Sequence, residues 1–167
     1  MAGQVALERI KKPLMACFDE TSSSVHGIYL DKGTTLFETL DGVSAYEASQ
    51  SLGPGAATVA AQVDHLRLYL DVLDDYIHSG QDPKINWREI WETVREVTPE
   101  QWETIKQNLR DSYDKVKTTL NSFEDWNGKN EVSGALAIVV HSAYHLGGIR
   151  QALAGIRANK KTAGHAQ

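Results

Sequence analysis

Two histidines, His141 and His145, lie four residues apart in a segment that is otherwise rich in apolar residues. In a helix this spacing places both imidazoles on one face, with about 5–6 Å between their Cβ atoms. Both rings can then reach one metal ion at the usual nitrogen distance of about 2.0–2.1 Å. The spacing alone leaves two interpretations open: two metal ligands, or two core histidines that hydrogen-bond to tyrosines or carbonyl groups. No glutamate follows the first histidine, as it does in the zincin motif.

A third ligand has to come from another helix, and His65 is the candidate. It lies in the middle of an amphipathic segment, about 120° from the centre of the apolar stripe at ~100° per residue. Such a position is typical of a surface or boundary histidine, although a helix with two neighbours could turn that flank inwards. His26, His78 and His165 lie in a connection, at a helix end and in the C-terminal tail. We interpret them as non-ligands because mobile positions preorganise ligands poorly, although His26 could face the site from its loop.

Four long segments have the hydrophobic period of helices, and almost nothing has the period of strands. The predicted long helices are Ala2–Glu20, Ala56–His78, one that begins after Thr98 and continues to about Leu120, and Glu131–Arg157. Pro13 lies inside the first of them and predicts a kink or a later start. The third has a strong start signal, because Thr98 is followed by proline at the first helical position, and Gln101 comes three residues after Thr98.

Shorter helical pieces are predicted in the connections. One lies at Leu36–Leu40, another begins with a capping box at Ser44–Glu47, and a third carries Trp87 and Trp91 one turn apart. With the four long segments they predict an all-α fold: a four-helix bundle with short extra helices in its connections.

The predicted fourth helix contains no Asp, Glu, Lys or Arg between Glu131 and Arg150. That gap is about as long as a short transmembrane helix. However, His141, His145 and several serines and glycines lie in it, and such polar groups are costly in lipid. We therefore expect this helix, apolar nearly all round, at the centre of a soluble bundle. The predicted location is cytoplasmic, with no membrane association.

The composition indicates one globular domain over residues 1–167, with residues 160–167 as a flexible tail. The net charge is -5, from 17 basic and 22 acidic side chains, and no basic stripe is present. Because phosphate contacts need clustered Lys and Arg, we expect no nucleic-acid partner. Cys17 is the single cysteine, so the fold does not depend on an internal disulfide or an oxidising compartment.

Two motifs resemble the DinB/YfiT-like family. They are Gln62-Val-Asp-His65-Leu and His141-Ser-Ala-Tyr-His145-Leu-Gly-Gly-Ile-Arg150-Gln. The family pattern is one histidine on helix two, then H-x-x-x-H on helix four, followed by glycine and a short Ile-Arg-Gln-like tail. The resemblance spans most of the chain. It implies a four-helix bundle with a three-histidine divalent-metal site at His65, His141 and His145, and it implies homodimers.

Three nitrogen ligands leave a coordination position open, which is the layout of catalytic rather than structural sites. Imidazole ligation suits zinc, nickel, copper or iron, and we expect zinc or nickel. Characterised relatives in the resembled family include thiol-dependent transferases and isomerases that use bacillithiol, mycothiol or glutathione. The resemblance therefore implies a transferase that acts with a low-molecular-weight thiol, held as the nucleophilic thiolate, on an electrophilic small molecule.

Two alternatives remain open. One is a hydrolase, in which the metal lowers the pKa of a water molecule to about 7; the other is a non-catalytic, stress-related metal-binding protein. The sequence offers no general base for hydrolysis, because Asp64 points about 100° away from His65 on a helix. No catalytic residue is assigned.

Three further residues are candidates for substrate binding. Arg150 lies just over one turn beyond His145 and could hold a substrate carboxylate. It could equally form a surface salt bridge or interact with the helix dipole. Tyr69 and Tyr144 could line the pocket or simply pack.

Overall fold

The computed structural model describes residues 2–81, 84–124, 126 and 130–164, and within those ranges it describes side chains from residue 9 to residue 162. Every regular element among these residues is a helix, so the predicted all-α class is confirmed. The helices are α1 (Ala2–Ser22), α2 (Leu36–Asp41), α3 (Ala45–Ala48), α4 (Val59–Ser79), α5 (Trp87–Thr93), α6 (Pro99–Ser122) and α7 (Glu131–Gly164).

Local hydrogen bonds define where several helices begin. Thr35, Ser44 and Thr98 each cap a helix through a capping box, in which side chain and backbone bond reciprocally across three residues. The predicted start signals at Ser44 and Thr98 are therefore confirmed. Thr58 caps α4, and that helix ends at Gly80, whose φ of 64° is readily adopted without a Cβ atom.

Several predicted boundaries differ from the structure, and α4 begins at Val59 rather than at Ala56. Pro13 does not delay the start of α1, which begins at Ala2 and continues through this residue, where proline supplies no N–H for a helical hydrogen bond. The last helix continues to Gly164, so residues 160–164 are helical rather than a flexible tail. Residues 165–167 lie outside the described part of the chain.

The four long helices share one hydrophobic core. α4 packs against α6 and α7, and α1 packs against α7 and α6. Each contributes a buried stripe to this core, as its 3.6-residue period predicts. Fully buried examples are Phe18, Leu66, Leu109 and Ile138, one from each helix. The short helix α5 packs on α4 and covers a flank that the long helices leave uncovered.

α7 is not buried all round, which corrects the prediction that it occupies the centre. Leu136, Val140 and Tyr144 are exposed by 50%, 59% and 74% and repeat at intervals of four, so they form one stripe on the outer face. Ile138 and Ile149, on the face towards α1 and α4, are completely buried. The helix is apolar on both faces, but only one of them has partners within the described chain.

By length and composition, the segment Glu131–Thr162 of α7 is apolar enough to cross a membrane. The core helix of a soluble protein passes the same test, and α7 packs along α1 and α4 here. A single helix of this kind is weak evidence of a membrane span, and the cytoplasmic location stays a prediction.

α4 and α7 lie close together at Gly134. A Cβ atom added there would lie 2.5 Å from Cγ1 of Ile77, closer than van der Waals contact permits. A Cβ atom on Gly147, in the same helix, would meet no atom within 4 Å. Alanine substitutions at the two glycines can therefore distinguish the cost of crowding between the helices from the gain in helix propensity.

We expect Gly134→Ala to be less stable than Gly147→Ala by about 1–3 kcal/mol, because the added methyl overpacks the contact with Ile77. Gly147→Ala is the control, and it should gain up to about 1 kcal/mol from better helix propensity. Urea denaturation followed by circular dichroism measures both free energies of unfolding. Equal values would mean that Ile77 moves aside at no cost.

Candidate metal centre

Three imidazoles meet where α4 faces α7. One nitrogen of each of His65, His141 and His145 lies within 4.8 Å of the others. Nε2 of His141 is 3.2 Å from Nε2 of His65, and the rings of His141 and His145 are 4.5 Å apart between centroids. Two nitrogens bound to one tetrahedral ion at about 2.0–2.1 Å would lie about 3.3 Å apart. The observed separation therefore suits two ligands that share an ion.

His65 is buried, with 7% of its surface exposed, so it is not the surface or boundary histidine that its helix position suggested. His65 is buried by contacts with other helices. Trp91 of α5 packs against its ring at 4.5 Å between centroids, and α7 covers the other side. His145 is buried to a similar degree, and His141 is half-buried.

Burial keeps these imidazoles neutral. Desolvation is the main cause that lowers the pKa of each, to about 4 for His141 and about 3 for His145. At those two residues, charge repulsion from the neighbouring imidazoles lowers the pKa further. Desolvation also lowers the pKa of His65, although the negative charge of Asp64 opposes it. At neutral pH all three are in the form that binds metal ions.

Two ring nitrogens of the cluster are buried without a protein partner. Nδ1 of His65 and Nδ1 of His145 find no hydrogen-bond partner among the described residues. Buried polar atoms normally have partners, and a neutral imidazole can satisfy one of its nitrogens by binding an ion. An ion shared through the facing Nε2 atoms of His65 and His141 would leave Nδ1 of His65 unpaired, so of these two atoms only Nδ1 of His145 is a candidate ligand.

Both tyrosines predicted at the site contact the histidines. Tyr69 stacks on His141, with 3.5 Å between ring centroids and 17° between planes. Tyr144 packs with its edge towards His145 at 5.2 Å, and it is largely exposed, so it forms the rim of the site. Tyr69 packs against His141 but does not line the cavity beside the histidines, and burial raises the pKa of its hydroxyl.

Two tryptophans of α5 also contact the site, although they were not predicted there. Trp87 and Trp91 both pack on His65, at 5.5 and 4.5 Å between centroids. Their spacing of four residues places both on one face of α5. This spacing was the feature of the sequence that could have indicated a shared packing surface. What the sequence did not show was that this face lies against α4.

A cavity of about 470 Å³ lies beside the three histidines. Its lining residues are Ala57, Gln62, His65, Trp91, His141, Tyr144, His145 and Gly148. Gln62 lies one turn before His65 on α4, and its Oε1 comes within 3.1 Å of the position that a Cβ atom on Gly148 would occupy. Gln62 therefore reaches across to α7 and closes one end of the cavity.

Arg150 is not brought to this site. It lies five residues beyond His145, which turns it about 140° around α7. Its Nη1 donates to the carbonyl oxygen of Thr34 at 3.2 Å, and it lines a different cavity. His26 also lies elsewhere, with Nε2 2.7 Å from a carboxylate oxygen of Asp19.

His78 does not join the cluster either. His78 is exposed at the end of α4, and its Nδ1 donates to the carbonyl oxygen of Asp74 at 2.8 Å. His165 lies outside the described residues.

The lowered pKa values predict that acid destabilises the metal-free protein. Below about pH 6.5 the unfolded imidazoles take up protons and the folded ones do not. The free energy of unfolding should therefore fall by up to about 1.4 kcal/mol per pH unit for each such histidine. The fall should level off below about pH 4 for His141.

Urea denaturation of chelator-treated protein between pH 6.5 and 5 tests this. His141→Gln should reduce the slope, because one of the neutral imidazoles is gone. An identical slope in wild type and His141→Gln would contradict the assignment of the acid sensitivity to the cluster.

Comparison of the chain with family models, with curated proteins and with solved structures found no match. The resemblance to the DinB/YfiT-like family therefore rests on the histidine motifs of the sequence. The candidate metal centre rests on independent grounds, namely the distances, burial and neutral state of His65, His141 and His145.

Proposed function

We propose that this chain is a divalent-metal-binding protein of the DinB/YfiT-like type, a four-helix bundle that acts as a metal-dependent transferase with a low-molecular-weight thiol. The observation that carries the proposal is the convergence of His65, His141 and His145 on one point, with their nitrogens within 4.8 Å of one another. Zinc or nickel is the ion we propose, although neutral imidazole donors suit copper and iron as well.

An ion with three protein ligands retains an open position at which it can lower the pKa of a thiol. The residues of the chain supply the surroundings for that chemistry. The three imidazoles stay neutral, and the aromatic rings of Tyr69, Trp87 and Trp91 hold them in place and limit access of water. A structural ion would normally have four protein ligands, and only three donors meet here among the described residues.

The lining of the cavity favours a thiol over water as the nucleophile. Hydrolysis commonly uses a carboxylate or another base beside the reacting water. The residues that line this cavity include no carboxylate, and the side-chain amide among them is that of Gln62. A thiol can lose its proton to solvent, after which the sulfur forms a bond to the electrophilic carbon and the leaving group departs with the electron pair.

A homodimer is part of the same proposal. The apolar stripe Leu136, Val140 and Tyr144 on α7 supports it, because exposed apolar rows of this kind commonly mark protein contacts. The stripe also begins at the rim of the histidine cavity, through Tyr144.

The metal content of protein purified without a nickel column tests the first part of the proposal. We expect about one zinc or nickel ion per chain in the wild type by elemental mass spectrometry, in keeping with a single three-histidine site. His141→Ala should lose the ion, and His78→Ala should retain it because that side chain is remote from the cluster. A wild type that binds neither metal after reconstitution would refute the three-histidine site.

The second part is tested with cobalt(II)-loaded protein and 2-mercaptoethanol. Binding of the sulfur to the ion should produce a new near-ultraviolet absorption band, because thiolates are soft ligands that bind such ions strongly. The band should be absent in His141→Ala. A cobalt spectrum that no thiol perturbs would contradict the transferase and favour the hydrolase or the non-catalytic protein.

A further inference from the structure

The walls of the histidine cavity carry no charge of their own. None of the residues that line it is a carboxylate, a lysine or an arginine. The three histidines bind a metal ion as neutral imidazoles, so they cancel none of its formal charge. A divalent ion in the cluster would therefore bring two positive charges to a cavity whose protein walls offer no negative charge in return.

Two carboxylates of α4 lie close to His65 in sequence, but both are paired with a cation. Nε of Arg67 lies 2.7 Å from Asp64, and its Nη1 lies 2.9 Å from Asp71. At ~100° per residue, Asp64 and Asp71 lie about 100° and 120° around α4 from His65. The three side chains together leave one negative charge, but none of them lines the cavity. Among the described residues, no carboxylate joins the three histidines where they meet.

The positive charge that remains on the ion determines what a ligand gains by binding. A thiolate bound to the ion cancels one of its two positive charges and leaves the other. His65 and His145 are buried and His141 is half-buried, so water screens this charge less than it would at an exposed surface. A second negative group on the ligand would therefore be attracted to the ion, and a neutral group in its place would gain no such attraction.

Gln62 can donate a hydrogen bond to such a negative group. It lines the cavity one turn before His65, and its side chain is half-buried and reaches towards Gly148. Its amide makes no hydrogen bond within the described part of the chain. A carboxamide offers N–H donors without a charge, and such donors bind an ionised acceptor about twice as strongly as a neutral one. The amide is therefore suited to orient a carboxylate of the ligand.

We propose that the ligand of this cavity is a small thiol that also carries a carboxylate, and that the amide of Gln62 positions this carboxylate. The proposal rests on the metal site and the thiol proposed above and adds the class of ligand to them. A volume of about 470 Å³ is within the range of cavities that bind small molecules.

A matched pair of thiols tests the charge preference. 3-Mercaptopropionate and 3-mercaptopropionamide have the same chain length and differ in one negative charge. Each is titrated into the zinc-loaded protein at fixed pH and ionic strength, and tryptophan fluorescence is followed, since Trp87 and Trp91 adjoin the site. We expect the carboxylate thiol to bind at least about tenfold more tightly, which corresponds to 1.4 kcal/mol. The carboxylate disfavours ionisation of its own thiol, so the comparison is biased against this result.

The metal-free protein is the control for the source of the charge. The same titration without zinc should show no preference for the carboxylate thiol, because the ion that attracts the carboxylate is gone. An equal preference with and without zinc would contradict the role of the ion.

Variants of Gln62 test its role. Gln62→Glu adds a negative charge to the cavity and should abolish the preference, because two carboxylates then compete for one positive charge. Gln62→Leu removes the donors without adding charge. It should weaken binding of the carboxylate thiol by about tenfold and of the amide thiol by less. A purely structural role would change both affinities alike. Gln81→Glu and Gln81→Leu, at an exposed position beyond the end of α4, are matched controls and should leave the ratio unchanged.

The zinc content before and after each titration separates this proposal from the one on which it rests. Zinc retained together with equal or weaker binding of the carboxylate thiol would overturn the carboxylate proposal and leave the metal site intact. Zinc retained with no fluorescence response to either thiol would overturn it as well, and so would removal of zinc by the carboxylate thiol, which then binds the ion outside the cavity. A wild type that binds no zinc would overturn both proposals. If Gln62→Leu changes both affinities by the same factor, or changes neither, the positioning role of Gln62 is refuted.

Discussion

Three imidazoles can share one point inside a protein only if none of them is charged, and this requirement constrains the rest of the structure. Water has to be kept from the rings, so α5 covers the flank of α4 and places Trp91 against His65. The helices also have to come close enough for short histidine side chains to meet. Gly134 permits that approach, because α4 and α7 are nearly in contact there.

Much of this organisation could be predicted from the sequence because it is determined locally. Capping boxes at Ser44 and Thr98 depend on side chains three residues apart, and they set helix starts whatever the tertiary context. The same holds for His141 and His145, whose common face follows from a spacing of four. Their placement next to apolar residues predicted that this face would be covered, and His145 is buried.

The remaining features depend on contacts between segments that are distant in sequence. The flank of α4 that carries His65 is polar by pattern, and the positions of α5 and α7 make it interior. Arg150 follows the histidine motif closely, yet the rotation of α7 directs it to the loop at Thr34. The outer stripe that contains Val140 was as apolar as the buried face, so composition could not distinguish the two. Such errors arise wherever tertiary packing overrides a local pattern.

His65 and His141 are separated by 76 positions, yet their Nε2 atoms lie 3.2 Å apart. An ion held by both therefore acts as a reversible cross-link that closes a long loop of the chain. Loop closure restricts the unfolded ensemble, so metal affinity and folding stability become parts of one equilibrium. A substitution anywhere in the contact between α4 and α7 then changes the apparent affinity for the ion without touching a ligand. In such a protein the availability of metal in its surroundings changes the free energy of unfolding.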